Sequence, residues 1–340
     1  HEALQWLETD YLAAAINTHR YFEEIVDDLK DEMMHKPRKL TRDEEEDIRN
    51  HKQLTNHIEE INNLIMLGID EIKERYVLTR EDRSFKFKEL YGKNVFHNLV
   101  KPMAEKFLFM SSTILNKDAF CKDLGIDPSQ AAFISLDSEF PAENRPIVYM
   151  PQMKMNYEWK NTENYESHQD VIIKIKDILD MHNDESGIIH TGNFEIAQWL
   201  VDNLRGIVSQ EVLSHNPHEG VNRDEVIASY LAQAASKPTL LVSPSITEGL
   251  DLKDDLGRFG IFVKVPFMSL VDKYVLRRKE LSEEWYMRQA MINVIQGGGR
   301  TTRGPEDHSV VYILDSSFNF LYYKMQKNVP QWWQDGFQRF

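Results

Sequence analysis

The chain has 340 residues, is 41% hydrophobic and carries a formal net charge of -15. That is enough apolar material for a large core split into two or three domains, and the acidic balance excludes a general affinity for nucleic acid, whose backbone rewards lysine and arginine. One cysteine, Cys121, excludes an internal disulfide or a four-cysteine cluster built from this chain alone, and points to a reducing, intracellular compartment, cytoplasmic or nuclear. No apolar run approaches the roughly twenty residues that span a bilayer, so no membrane partner is expected. The first residue is histidine, which suggests a fragment of a longer protein.

From residue 1 to about 95 the pattern is helical. Tyr11, Leu12, Ala15, Ile16, Phe22, Ile25, Val26 and Leu29 recur at three and four, and Ile48, Leu54, Ile58, Ile61, Ile65 and Ile72 form a second stripe. Thr41 with Glu44 predicts a capping box at the start of the second helix. Two long helices with a short link predict a hairpin or arch.

Near residue 100 the texture changes. The apolar run 106–110 ends in Ser111, Ser112 and Thr113 and predicts a buried strand; 117–124 predicts a helix closed by Gly125, and 133–136 another strand. The tract 137–164, with Pro141, Pro146 and Pro151, predicts a crossing between domains. Beyond it, strands are expected at 187–190, 206–209, 239–243, 260–265 and 309–314, and helices at 193–204, 223–235 and 282–295. Such alternation defines an α/β fold, a parallel sheet with helices on both faces and ligands at the carboxyl ends of its strands.

Just ahead of the last strand lie Gln296, Gly297, Gly298, Gly299, Arg300, Thr301, Thr302 and Arg303. Arginines three apart on one helical face make a fork that fits a polyphosphate, and the glycines allow close approach of the backbone. A second reading stays open from the residues alone: a glycine cap with solvated arginines. Trp285 and Tyr286 suit core packing better than base stacking, and His215 suits a solvated loop better than metal ligation, so no metal site is expected. Arg277, Arg278 and Lys279 form the most basic spot, better read as a solvated face than as a nucleic-acid path. Asp315 could assist the arginines or cap a turn.

Residues 245–251 (Ser245, Ile246, Thr247, Glu248, Gly249, Leu250, Asp251) resemble the S-x-x-E-G-x-D element of superfamily 2 helicases, and 296–303 resembles their Q-x-x-G-R-x-x-R element, with suitable order and spacing. The flavour is that of the DinG and XPD helicases. Ser111, Ser112, Thr113, Ile114 and Leu115 are similar to the S-A-T-L segment, Thr191, Gly192 and Asn193 fall where motif IV is expected, and Val329, Pro330, Gln331, Trp332 and Trp333 resemble the family's ending. The sequence departs from the family in having no G-x-x-x-x-G-K-[ST] loop and no complete D-E-A-H box.

The resemblance implies a RecA-like parallel sheet, the second helicase domain of the P-loop NTPase type, preceded by an arch-like helical region. Its layout would make 1–95 an arch-like insertion, 96–150 the end of a first motor domain, 151–168 a linker and 169–340 a second motor domain. The implied activity is ATP-dependent 5'–3' unwinding of DNA, in repair or replication, by a monomer whose partners are ATP and single-stranded DNA. ATP and Mg2+ would be held mainly by an amino-terminal part that the sequence does not contain, and an iron-sulfur cluster lies outside its reach. Arg300, Arg303 and Gln296 would act on the phosphates. Glu248, Gly249, Asp251, Gly299, Ser111 and Thr113 would couple nucleotide to strand, and Thr191, Asn193, Ser245 and Thr247 would hold single-stranded DNA. This chain alone would not hydrolyse ATP. The alternative is a non-hydrolysing nucleic-acid-binding or regulatory module that keeps the fold.

Overall fold

The computed structural model describes residues 5–81, 84–156, 159–160, 165–216, 220–244 and 250–340. The chain divides into two compact units, His1–Gly92 and Lys93–Phe340.

In the first unit, helices α1 (Leu12–His35) and α2 (Arg42–Arg75) pack as an antiparallel hairpin. The capping box forms: Thr41 Oγ1 accepts from the Glu44 amide, and the Glu44 carboxylate accepts from the Thr41 amide at 2.7 Å. Arg38, 2.6 Å from Glu44, and then the Thr41 amide hold the Glu44 carboxyl down at about 2. Gly68 takes φ 72° and breaks α2, a left-handed geometry that glycine adopts without strain. The expectation of helix up to residue 95 needs correction. Tyr76–Glu81 (β1) and Ser84–Glu89 (β2) form an antiparallel pair, and the alternation of Phe85, Lys86, Phe87 and Lys88 is the period of a strand. Among the described residues, the buried apolar set of this unit is small: Ala15, Val26, Ile61, Ile72, Val77 and Leu90.

The second unit holds a seven-stranded sheet. Its strands are β3 (Ile147–Tyr149), β4 (Gly187–His190), β5 (Glu211–Ser214), β6 (Thr239–Ser243), β7 (Phe259–Phe262), β8 (Val310–Ile313) and β9 (Phe337–Arg339). They lie in the order β5-β6-β4-β7-β8-β3-β9, every pair parallel. A parallel sheet must bury both faces, and the strands show it residue by residue. Val148, Ile261, Tyr312 and Leu314 join the core beneath α4 (Tyr165–Met181) and α5 (Phe194–Leu204). Ile147, Tyr149, Phe262, Val311 and Ile313 face the opposite way, into the core of α7 (Lys273–Leu281), α8 (Glu283–Gly298), α9 (Phe318–Met325) and α10 (Gln331–Asp335). Helix α6 (Arg223–Gln233) buries Tyr230 against Leu241 and Ile188. Among the described residues, no helix is long and apolar enough to cross a membrane.

Three strand expectations differ from the structure. Residues 206–209 form a turn, because Gly206 takes φ 80° and the amides of Ile207 and Val208 fold back onto the Leu204 carbonyl; the strand starts at Glu211. Residues 106–110 and 133–136 are not strands: Leu108 is 83% and Ile134 78% exposed. Apolar content alone does not make a strand without neighbours for its amides, and the rings of Phe107 and Phe109 lean instead on Phe96 and Phe120. Ile147–Tyr149, within a tract expected to cross between domains, is an interior sheet strand three residues long, next to the edge. Helix α3 (Lys117–Leu124) ends as expected, with Gly125 left-handed at φ 66°.

Candidate functional site

Helix α8 starts on Ser282, whose hydroxyl accepts from the Trp285 amide, and buries Trp285, Tyr286, Ala290, Met291 and Val294. It ends at Gly298, so Arg300 and Arg303 leave the helix and do not share a helical face; three successive glycines favour termination there. Gly297 is needed for a packing reason as well. A Cβ at this position would stand 2.7 Å from Phe262 Cζ. The last turn of α8 therefore presses directly onto the stacked rings of Phe262 and His190, whose centroids are 4.4 Å apart.

The arginine loop is stitched down on the side where β7 and β8 begin. The Arg300 carbonyl accepts from the Leu252 amide at 3.1 Å, and the Thr301 and Thr302 hydroxyls meet Ser309 Oγ at 2.6 and 2.7 Å, all three hydroxyl residues being buried. Buried Asp307 accepts from the Arg303 amide at 2.9 Å and from Arg258 Nη1 at 2.9 Å. Arg300 is half-buried, with Nη1 3.4 Å from the Leu250 carbonyl oxygen. Arg303 is exposed, and its Nε donates to Asp251 Oδ1 at 2.7 Å. Gly299 is exposed and donates its amide to the Ile295 carbonyl.

Gln296 and Thr113 come together across 183 positions of sequence: Gln296 Nε2 donates to Thr113 Oγ1 at 2.9 Å. Ser111 Oγ supports the same hydroxyl at 3.3 Å and accepts from the Thr113 amide at 3.2 Å. Ten residues beyond Thr113 lies a cluster of which the sequence singled out only Arg278 and Trp285. Asp123 on α3 receives Arg278 at 2.8 Å and Arg288 at 3.5 Å, and Arg278 lies 4.6 Å over the Trp285 ring. Arg278 is 4% exposed, so the basic spot at 277–279 is not wholly a solvated face. The best sequence signal for it was Trp285 seven residues on, a ring on which a guanidinium can stack. Trp285 and Tyr286 do pack in the core.

At the carboxyl end of β4, Thr191 is fully buried and donates its hydroxyl to the Asn193 carbonyl at 3.0 Å, while the Asn193 side chain caps α5 by accepting from the Ile196 amide at 2.8 Å. Both polar groups serve the local fold in this conformation. Ser245, Thr247, Glu248 and Gly249 lie outside the described residues. Asp315 is a structural tie: its carboxylate accepts from the amides of Val265 (2.8 Å), Ser317 (2.9 Å) and Met155 (3.3 Å), joining the loops that follow three strands. His215, expected in solvent, is 2% exposed against Phe194.

The other residue sequence reasoning missed is His190. It is 4% exposed, its Nε2 has no hydrogen-bond partner, and burial first, then the Arg300 guanidinium, push its pKa down to about 4. The imidazole is neutral near pH 7 and sits beside the group expected to meet phosphate.

The parallel sheet with helices on both faces is the α/β fold expected, with its glycine-arginine loop where β7 and β8 begin and its glutamine bound to a hydroxyl of the distant S-S-T segment. Residues 182–336 match the family described as "Helicase C-terminal domain". Over 152 residues the chain is 28% identical to "ATP-dependent DNA helicase CHL1" of Candida albicans, a match covering 38% of this chain and 18% of that protein. It is 27% identical over 153 residues to the human "Regulator of telomere elongation helicase 1", covering 38% of this chain and 12% of that protein. A solved chain described as "XPD_Helicase" superposes with a TM-score of 0.53 over 89% of this chain and 56% of its own length, at 15% identity, a likeness of fold. Residues 182–336 are thus similar to a helicase carboxyl-terminal domain, and these relatives are named as helicases, in line with the motif resemblance, although the chain spans less than a fifth of the length of either curated relative.

Proposed function

We propose that this chain is the carboxyl-terminal part of an ATP-dependent 5'–3' DNA helicase that couples ATP hydrolysis to movement along single-stranded DNA and to duplex unwinding, in DNA repair or replication, in the nucleus or cytoplasm. The observation that carries this reading is the Gln296–Thr113 hydrogen bond, which joins the helix end bearing Arg300 to the hydroxyl segment of the S-S-T motif. Phosphoryl transfer asks the protein for positioned positive charge more than for covalent chemistry. Arg300 supplies that charge toward the nucleotide phosphates. Gln296 holds the loop in register with Thr113, so a shift of the nucleotide is felt at Ser111 and Thr113. Arg303, held by Asp251, sets the outer end of the loop. In this scheme residues 1–95 act as an arch.

Mg2+ does not fit the residues around the loop. The carboxylates described there, Asp251 and Asp307, are engaged with Arg303 and Arg258, so the ion belongs with the phosphate-binding lobe that the sequence lacks. The test is unwinding by the whole protein, with a phosphate-loop lobe ahead of His1, on duplexes carrying a 5' or a 3' single-stranded tail. ATP-dependent unwinding from the 5' tail is expected. Unwinding from the 3' tail alone refutes the polarity, and DNA binding without phosphate release favours a non-hydrolysing module.

A further inference from the structure

The helical hairpin of the first unit holds a side-chain cluster that the helicase reading does not use. His19 and Glu23 sit one turn apart on α1 and share a face, and His51 of α2 lies against them, with the two imidazole centroids 4.6 Å apart. One donor atom from each of the three residues lies within 4.8 Å of the others. The neighbouring Thr55 fixes the chemistry. Its hydroxyl donates its one proton to the His51 carbonyl at 3.0 Å, so toward His19 Nε2, 2.9 Å away, it can act only as an acceptor. His19 therefore carries its proton on Nε2 and turns the lone pair of Nδ1 inward. That lone pair faces Glu23 Oε2 at 3.9 Å, and His51 Nε2 is buried with no hydrogen-bond partner. The His19 lone pair and the Glu23 carboxylate thus converge with the unpartnered His51 nitrogen.

We propose that His19, Glu23 and His51 bind a zinc ion that staples α1 to α2. Two imidazoles and a carboxylate form the borderline donor set that zinc prefers over calcium or magnesium, and three protein ligands leave a fourth position for water. Donor atoms around tetrahedral zinc are about 3.4 Å apart, so His19 and Glu23, at 3.9 Å, need to close by about 0.5 Å, and the pairs with His51, all within 4.8 Å, by about 1.4 Å at most. Thr55 supplies the second contact that ligating histidines usually make through their other nitrogen. The unit also has use for a cross-link: its buried apolar set among the described residues is six side chains, and small cores are commonly reinforced by a metal.

The test uses the whole chain without a histidine tag. Zinc titration by calorimetry should give a saturable one-to-one site, and cobalt in its place should show visible absorption of a four-coordinate ion. His19→Gln, Glu23→Gln and His51→Gln should each weaken zinc by about a hundredfold or more, and Thr55→Val by about tenfold although it removes no ligand, with far-ultraviolet dichroism unchanged. His57→Gln, a histidine outside the cluster, should bind as the parent does. Absence of a one-to-one site in the parent protein overturns the proposal, whatever the variants do. So does zinc binding that survives all three ligand substitutions, which would mean adventitious capture by other histidines.

Discussion

Replacing His190 with phenylalanine should remove an acid-sensitive element from the core of the second unit. The imidazole is stacked on Phe262 with its planes 17° apart, so an aromatic replacement keeps the stack and discards the titrating nitrogens. Burial and the Arg300 charge lower its pKa from 6.5 to about 4, and at about 1.4 kcal/mol per pH unit that difference amounts to about 3 kcal/mol. The sign follows from proton uptake. Between pH 6.5 and 4 the unfolded chain binds a proton that the folded chain refuses, so stability falls with pH across that window and is intact above it. About 2 kcal/mol should be gone by pH 5 in the parent and retained in His190→Phe. Urea unfolding followed by the fluorescence of buried Trp159, Trp285 and Trp333 reads this unit. Any packing cost of the phenylalanine is an offset that does not vary with pH, so the comparison rests on slopes. Parallel stability curves for the two proteins from pH 6.5 to 4.5 would refute the reasoning.

Thr113→Val removes the acceptor of Gln296 Nε2 and should cost about 1 kcal/mol of stability, with a larger effect on DNA-stimulated ATP turnover in the whole protein; equal turnover in variant and parent counts against coupling through this bond. Gly297→Ala drives a methyl to 2.7 Å from Phe262 Cζ and should destabilise by about 1–3 kcal/mol in denaturant titration. A neutral outcome would show that the end of α8 is free to lift. Asp251 and Arg303 are exposed, so a double-mutant cycle with alanine at both positions should return a coupling of no more than about 1 kcal/mol. Coupling well above that would mean the pair is desolvated and structural.

The sheet was largely legible because each strand–helix alternation beyond residue 180 repeats a local pattern, and the Gly125 cap, the Thr41 box and the packing of Trp285 followed from local chemistry. Part of what failed was local, as at Gly206 and in the alternation at 85–88, and the rest was non-local. The apolar runs at 106–110 and 133–136 look like strands, but pairing depends on neighbours that no short window reveals. Ile147–Tyr149 is a strand because β8 and β9 flank it, from 160 or more positions away. At the site, the resemblance found the arginine loop, whereas the burial of His190 and Thr191 and the Asp123–Arg278–Arg288 clamp depend on tertiary contacts between distant segments. The expected fork on one helical face was a periodicity argument carried past three glycines that end the helix.

The most direct measurement is DNA-stimulated ATP turnover of the whole protein carrying Arg300→Ala, with near-ultraviolet dichroism as the check on folding. A fall of about a hundredfold or more with an unchanged spectrum is expected, since the guanidinium beside neutral His190 is assigned to the charge developing on the phosphates. Turnover close to that of the parent would contradict it.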